Sequence, residues 1–123
     1  MMDPARFEAT VRRKPGTQVA VLDLRGEINA LAERELNDAY ARAIEPDPAR
    51  ILLNFGEVDY INSTGIALIV GLLARARKEH RAITAWGLSD HYREVFEITR
   101  LADFMSIFPD EASAVSGLPA SAH

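Results

Sequence analysis

The residues best placed to do chemistry lie in one short stretch, Asp59-Tyr60-Ile61-Asn62-Ser63-Thr64-Gly65. Two hydroxyls and a glycine precede the apolar run Ile66 to Ala74, so they fall where the chain turns into a helix. Ser63 there reads as the N-cap, its side-chain oxygen accepting from the backbone N–H of Gly65 or Ile66. The same mouth, with free N–H groups and the positive end of the helix dipole, tolerates an added phosphate. Glu57 and Asp59 make the approach polar, and so exposed to a partner. Ser63 is thus a cap and a candidate switch in one side chain.

Other chemistries find no footing. The chain has no cysteine, which removes disulfides, thiolate metal sites and a cysteine nucleophile together. His80, His91 and His123 have no H-x-x-x-H spacing, so no metal is expected. Asn62-Ser63-Thr64-Gly65 is not G-x-S-x-G, and only His80 and His91 could serve as an ordered base for acyl transfer. Asp90-His91 reads as a capped helix start. Gly65 and Gly71 stand in neither phosphate-loop pattern, and no lysine follows either in the required place. Neither an enzyme nor a cofactor is expected.

Composition fits this picture. The 123 residues are 48% apolar and 26% charged, the make-up of one globular domain with a core of its own. A formal net charge of -4, with Arg12-Arg13-Lys14 as the densest basic run, gives no footprint for nucleic acid. The start, Met1-Met2-Asp3-Pro4, lacks a signal pattern, and the longest apolar run falls short of the roughly 18 residues of a membrane span. A cytoplasmic protein is expected.

The elements that position Ser63 follow from periodicity. Phe7, Ala9 and Val11 alternate with polar residues as a half-buried strand, and Lys14-Pro15-Gly16-Thr17 turns into a more central strand, Gln18 to Leu24. Asn29 is a helix cap, and Leu36, Ala39, Tyr40 and Ala43 form one helical stripe that Pro46-Asp47-Pro48 stops. Ile51, Leu53 and Phe55 mark a third strand, followed by a polar loop from Glu57 to Gly65. A helix from about Ile66 to His80 has a buried first half and a charged second half, with Gly71 as a close-packing position. A strand from Ala82 to Leu88 carries Trp86 as a core residue. Ser89-Asp90 caps a helix bearing Tyr92, Val95, Phe96 and Thr99, and a strand from Phe104 to Phe108 and a helix from Glu111 to Val115 complete the order β-β-α-β-α-β-α-β-α. This predicts a single α/β domain with a mixed four- to five-stranded sheet and helices mainly on one face. Its expected limits are residues 6–116, between an N-terminal extension (1–5) and a flexible tail (117–123).

The sequence also resembles the STAS family, the sulfate-transporter and anti-sigma-factor-antagonist domain, from about Phe7 to Val115. Asp59 to Leu68 is similar to the family signature of two apolar or aromatic residues, Asp-Ser-Ser/Thr-Gly and an apolar helix. Leu24-Arg25-Gly26-Glu27-Ile28-Asn29 resembles a second block, Leu-x-Gly-Glu-Leu/Ile-Asp, and Val95 to Leu101 a later helix. The resemblance implies a stand-alone anti-sigma factor antagonist in a partner-switching cascade. Its partners would be an anti-sigma factor with serine kinase activity, bound when the chain is unphosphorylated, and a PP2C-type phosphatase that resets it. By position the phosphoacceptor is Ser63, with Asn29, Asp59, Asn62, Thr64 and Gly65 around it as partner-binding residues. Two positions depart from the pattern, because Asn62 and Asn29 replace acids. The alternatives are a non-switching STAS subunit or scaffold, of a lipid-transport ATPase or a stress-signalling complex, and a small-ligand or nucleotide sensor. A weak homodimer stays open.

Overall fold

A computed structural model of the chain describes residues 7–117. The elements are β1 (Glu8–Arg13), β2 (Val19–Ile28), α1 (Glu33–Ala43), β3 (Arg50–Ile61), α2 (Ser63–Lys78), β4 (Ala82–Trp86), α3 (Asp90–Ile98), β5 (Ser106–Phe108) and α4 (Glu111–Ser116). The five strands lie in the order β1-β2-β3-β4-β5. β1 is antiparallel to β2 and every other pair is parallel. The opening hairpin and the three helical crossovers are the arrangement the alternating pattern predicts. The proposed extension, residues 1–5, and nearly all of the tail lie outside the described residues.

Alternation along the central strands sends side chains to two cores of unequal size. Leu22, Leu24, Leu53, Phe55 and Ala85 face α1, α2 and α3, meeting Leu36, Tyr40, Leu72 and Phe96. Phe55 and Phe96 pack edge to face with ring centroids 5.7 Å apart. Val19, Val21, Leu52, Trp86 and Phe108 point the other way, under Ala114 and Val115 of α4. Three helices therefore cover one face and one short helix part of the other, and Trp86 is a core residue. Arg12 and Lys14 hold α4 through Glu111, Arg12 also reaching Asp23 on β2. The Arg50 guanidinium donates to the carbonyls of Ala114 and Val115, a cation at the negative end of α4.

Several boundaries differ from the sequence expectation, each for a physical reason. β3 does not give way to a loop at Glu57 but runs on to Ile61. Its last partner on β4 is Asn54↔Trp86, whereas pairing with β2 continues to Ile28↔Ile61. The overhang has a strand on one side only, so its polar residues are exposed and look like loop. β2 likewise continues through Gly26, which has φ +96° at an irregularity in that pairing. Strand β4 stops at Trp86, short of Leu88. Leu101–Asp103 forms a 3-10 turn, so β5 begins only at Ser106 and Phe104 is left exposed. Gly71 is not a close-packing position: a side chain there would meet nothing within 4 Å. The first half of α2 is not wholly buried either, since Ala67, Val70 and Gly71 are exposed.

Candidate functional site

Helix α2 begins where the ends of β2 and β3 lie side by side. Ile28 pairs with Ile61, and the Asn62 N–H donates to the Ile28 carbonyl at 3.2 Å. Asn62, not Ser63, is the cap: its Oδ1 accepts from the Gly65 N–H at 2.8 Å and its carbonyl from the Ile66 N–H at 2.9 Å. The correction is one residue. Asn and Ser cap about equally well, and the strand bond of Asn62 decides which of them sits at the boundary.

Moving the cap back frees the serine. Ser63 becomes the first residue of the helix, exposed, and its hydroxyl makes no hydrogen bond among the described residues. Thr64 is in the same position. The N–H groups of Ser63 and Thr64 have no backbone or side-chain acceptor among the described residues, as expected in a first turn. The mouth thus presents two free hydroxyls and two free donors at the positive end of a 16-residue helix.

Gly65 explains how the two sequence blocks meet. It is buried, and a methyl on it would overlap the Ile28 carbonyl oxygen, stand 2.8 Å from the Ile28 carbonyl carbon and 3.0 Å from Ile61 Cγ2. Only glycine lets the first turn of α2 rest on the end of β2. Immediately beyond that contact Asn29 caps a 3-10 turn (Ala30–Ala32), its Oδ1 accepting from the Leu31 N–H at 2.9 Å. Asn29, Asn62, Ser63, Thr64 and Gly65 are therefore assembled at one junction. Asp59 is exposed in the β3 overhang, where the pairing steps from Gly26↔Val58 to Glu27↔Tyr60 and leaves it without an opposite residue. Its neighbour Glu57 faces Arg25 at 3.7 Å.

Two kinds of residue at the junction escaped the sequence reading. Leu31, 89% exposed, and Tyr60, 49% exposed, are large apolar side chains left in water beside the helix mouth. Nothing in the periodicity marks Leu31, because it sits in a turn of its own. Tyr92 belongs to the stripe of α3, but its hydroxyl also accepts from the Ile61 N–H at 2.9 Å, pinning the strand end that carries the site.

The α2 N-terminus is thus a capped helix mouth with two unengaged hydroxyls among the described residues, and the adjoining segments leave Leu31 and Tyr60 exposed. A STAS family model described as "Mlab, STAS domain" matches residues 11–108, and the chain belongs to the STAS domain family. BtrV of Bordetella bronchiseptica, which carries the name of an anti-sigma factor antagonist, is 31% identical over 86 residues, 70% of this chain and 72% of BtrV. An anti-sigma factor antagonist from Mycobacterium paratuberculosis has the same fold, with a TM-score of 0.79 at 18% identity over 95% of this chain and 97% of that one. The Bacillus cell fate determinant SpoIIAA, solved in its phosphorylated form, matches with a TM-score of 0.65 at 20% identity over 91% and 98% of the two chains.

Proposed function

We propose that this chain is a cytoplasmic anti-sigma factor antagonist: a regulatory binding protein, not an enzyme, that engages an anti-sigma serine kinase when unphosphorylated and releases it when Ser63 is phosphorylated. The observation that carries the reading is the Ser63 hydroxyl, exposed at the first position of α2 and without a hydrogen bond among the described residues, with Leu31 and Tyr60 exposed on the adjoining segments. A kinase needs an accessible hydroxyl, and a hydroxyl that caps its own helix would have to abandon that bond to react. The likeness to BtrV by name, and to a SpoIIAA solved in its phosphorylated form, supports the same reading.

The chemistry of release follows from charge. Phosphorylation adds about -1.5 to -2 charges and three acceptor oxygens. In the free protein the N–H groups of Ser63 and Thr64 and the helix dipole accommodate that anion, so the fold survives. In a contact closed over Leu31 and Tyr60 the phosphate is desolvated, and a loss of about 3 kcal/mol weakens binding roughly 150-fold. A PP2C-type phosphatase would restore the hydroxyl. The test is capture of ATP-binding kinases on immobilised wild type and Ser63→Asp, with the bound proteins identified by mass spectrometry. The reading requires an anti-sigma kinase on wild type that is lost on Ser63→Asp; equal retention on both would overturn it.

A second reading keeps the surface and drops the modification: a non-switching STAS subunit of a larger assembly. The observation favouring it is Asn62, which caps the helix without the charge an acid would place beside the acceptor. Such a subunit would bind its partner equally well as wild type and as Ser63→Ala, and would take up no phosphate.

A further inference from the structure

An open trough of about 980 Å³ runs between the second half of α2 and the segment Leu101 to Ser106. It exists because β5 is short. Ser106–Phe108 pairs only with Thr84–Trp86, which leaves Ala82 and Ile83 of β4 with no strand beside them on that side. Ile83, Leu73, Leu101 and Met105 form an apolar floor, none of them more than 9% exposed. Val70 and Phe104 stand on its walls, 47% and 61% exposed. A concavity with an apolar floor and a few charged groups at its rim has the make-up of a small-molecule site.

The charges on the rim are unequally satisfied. Arg81 is held by Asp47 and Glu79, and Arg100 by Asp103. Arg77 has no carboxylate among the described residues; its guanidinium lies over the Phe104 ring, 5.9 Å from the centroid. The trough is thus lined by three arginines and one aspartate in a chain whose formal net charge is -4. One free cation at the lip of an apolar channel is complementary to one negative head group on an apolar tail. A neutral lipid would leave the guanidinium unanswered, and a nucleotide triphosphate would set several charges against apolar walls.

We infer that this trough binds a single-chain anionic amphiphile, an aliphatic carboxylate whose chain lies along Val70, Ile83 and Phe104 and whose head group pairs with Arg77. Arg77 follows Ser63 by fourteen positions, about 21 Å along the helix, so the site is separate from the proposed switch. The pairing is a charge-assisted hydrogen bond from a guanidinium already oriented by the Phe104 ring.

The test uses the full chain and decanoate, kept below its micellar concentration, in isothermal titration calorimetry. One saturable site is expected, with 1-decanol binding far more weakly. Arg77→Glu should weaken decanoate by about tenfold or more, Phe104→Ser should weaken both compounds, and Arg93→Glu, on α3 away from the trough, should behave as wild type. Arg77→Gln carries the same comparison should Arg77→Glu fail to fold. Absence of saturable decanoate binding would overturn the inference, as would equal losses in the Arg77 and Arg93 variants. So would co-sedimentation with phosphatidylglycerol vesicles in the absence of binding to free decanoate, since that would assign the surface to a bilayer.

Discussion

Gly65→Ala and Gly71→Ala place the same methyl on the same helix with opposite expected signs. On helix propensity alone each gains up to about 1 kcal/mol. At Gly71 nothing else enters, because the added carbon meets nothing within 4 Å beyond its own stretch of helix, so the variant should be more stable by about 0.5–1 kcal/mol. At Gly65 the carbon overlaps the Ile28 carbonyl oxygen and stands 3.0 Å from Ile61 Cγ2. Those atoms belong to paired strands and cannot give way singly, so the first turn of α2 must back off. Overpacking of this kind costs about 1–3 kcal/mol, and backing off weakens the Asn62–Ile28 bond by about another 1 kcal/mol. Set against the propensity gain, Gly65→Ala should lose about 1–3 kcal/mol net. Urea unfolding followed by circular dichroism should therefore separate the two variants by about 1.5–4 kcal/mol at constant m. A Gly65→Ala protein as stable as wild type would refute the close approach that joins the two sequence blocks. A destabilised Gly71→Ala would show that the exposed face of α2 is packed after all.

Four further outcomes follow from individual contacts. Ser63→Ala removes a hydroxyl that makes no hydrogen bond among the described residues, so its urea midpoint should match wild type, whereas Asn62→Ala should cost about 1 kcal/mol in the same assay through loss of the cap. Tyr40 is buried and donates to Glu79 at 2.8 Å; burial and that bond push its phenol up to about 12, so one of the three tyrosines should ionise late in an ultraviolet pH titration and Tyr40→Phe should remove that late step. The Arg12 hydrogen bonds hold the carboxyls of Asp23 and Glu111 below their ordinary values. Folded values lower than unfolded ones contribute stability above about pH 4.5 that is lost as pH falls through the folded range, so the urea midpoint of wild type should drop more steeply on acidification than that of Arg12→Ala, the two converging at low pH. Leu31→Ser should leave stability within about 0.5 kcal/mol of wild type, since its side chain is 89% exposed, yet reduce capture of the partner kinase on an affinity resin.

What the sequence disclosed and what it hid divide along physical lines. Buried periodicity was legible: the stripe Leu36, Ala39, Tyr40, Ala43 is fully buried on α1, and the alternation at Phe7, Ala9 and Glu8 places β1 at an edge with one wet face. The family blocks around Gly26 and Gly65 were legible as motifs, and so pointed to Ser63. Their meeting was not, because it rests on the absent side chain at Gly65 and on a backbone contact with Ile28 that no residue type announces. The length of β3 was hidden for the opposite reason. Beyond Asn54 the strand pairs only with β2, through Glu57, Val58, Tyr60 and Ile61, so a strand exposed on its far side carries the polar composition of a loop. The cap lies one residue before the one the sequence suggests because Asn and Ser have similar intrinsic preferences, and only the strand bond of Asn62 chooses between them. The first half of α2 is less buried than its composition suggests, since an apolar run does not say which of its faces stays open; Val70 and the trough emerge only in three dimensions.

In the proposed switch, Ser63 accepts a phosphoryl group and the partner is released. Intact-mass and peptide-level spectra of the wild type and Ser63→Ala, each incubated with ATP and a soluble extract of the source cells, test it most directly. One phosphoryl addition is expected on the wild type, mapped to Ser63 and absent from the variant. An unmodified wild type in an extract with demonstrated serine kinase activity would contradict it, as would an addition that persists in Ser63→Ala.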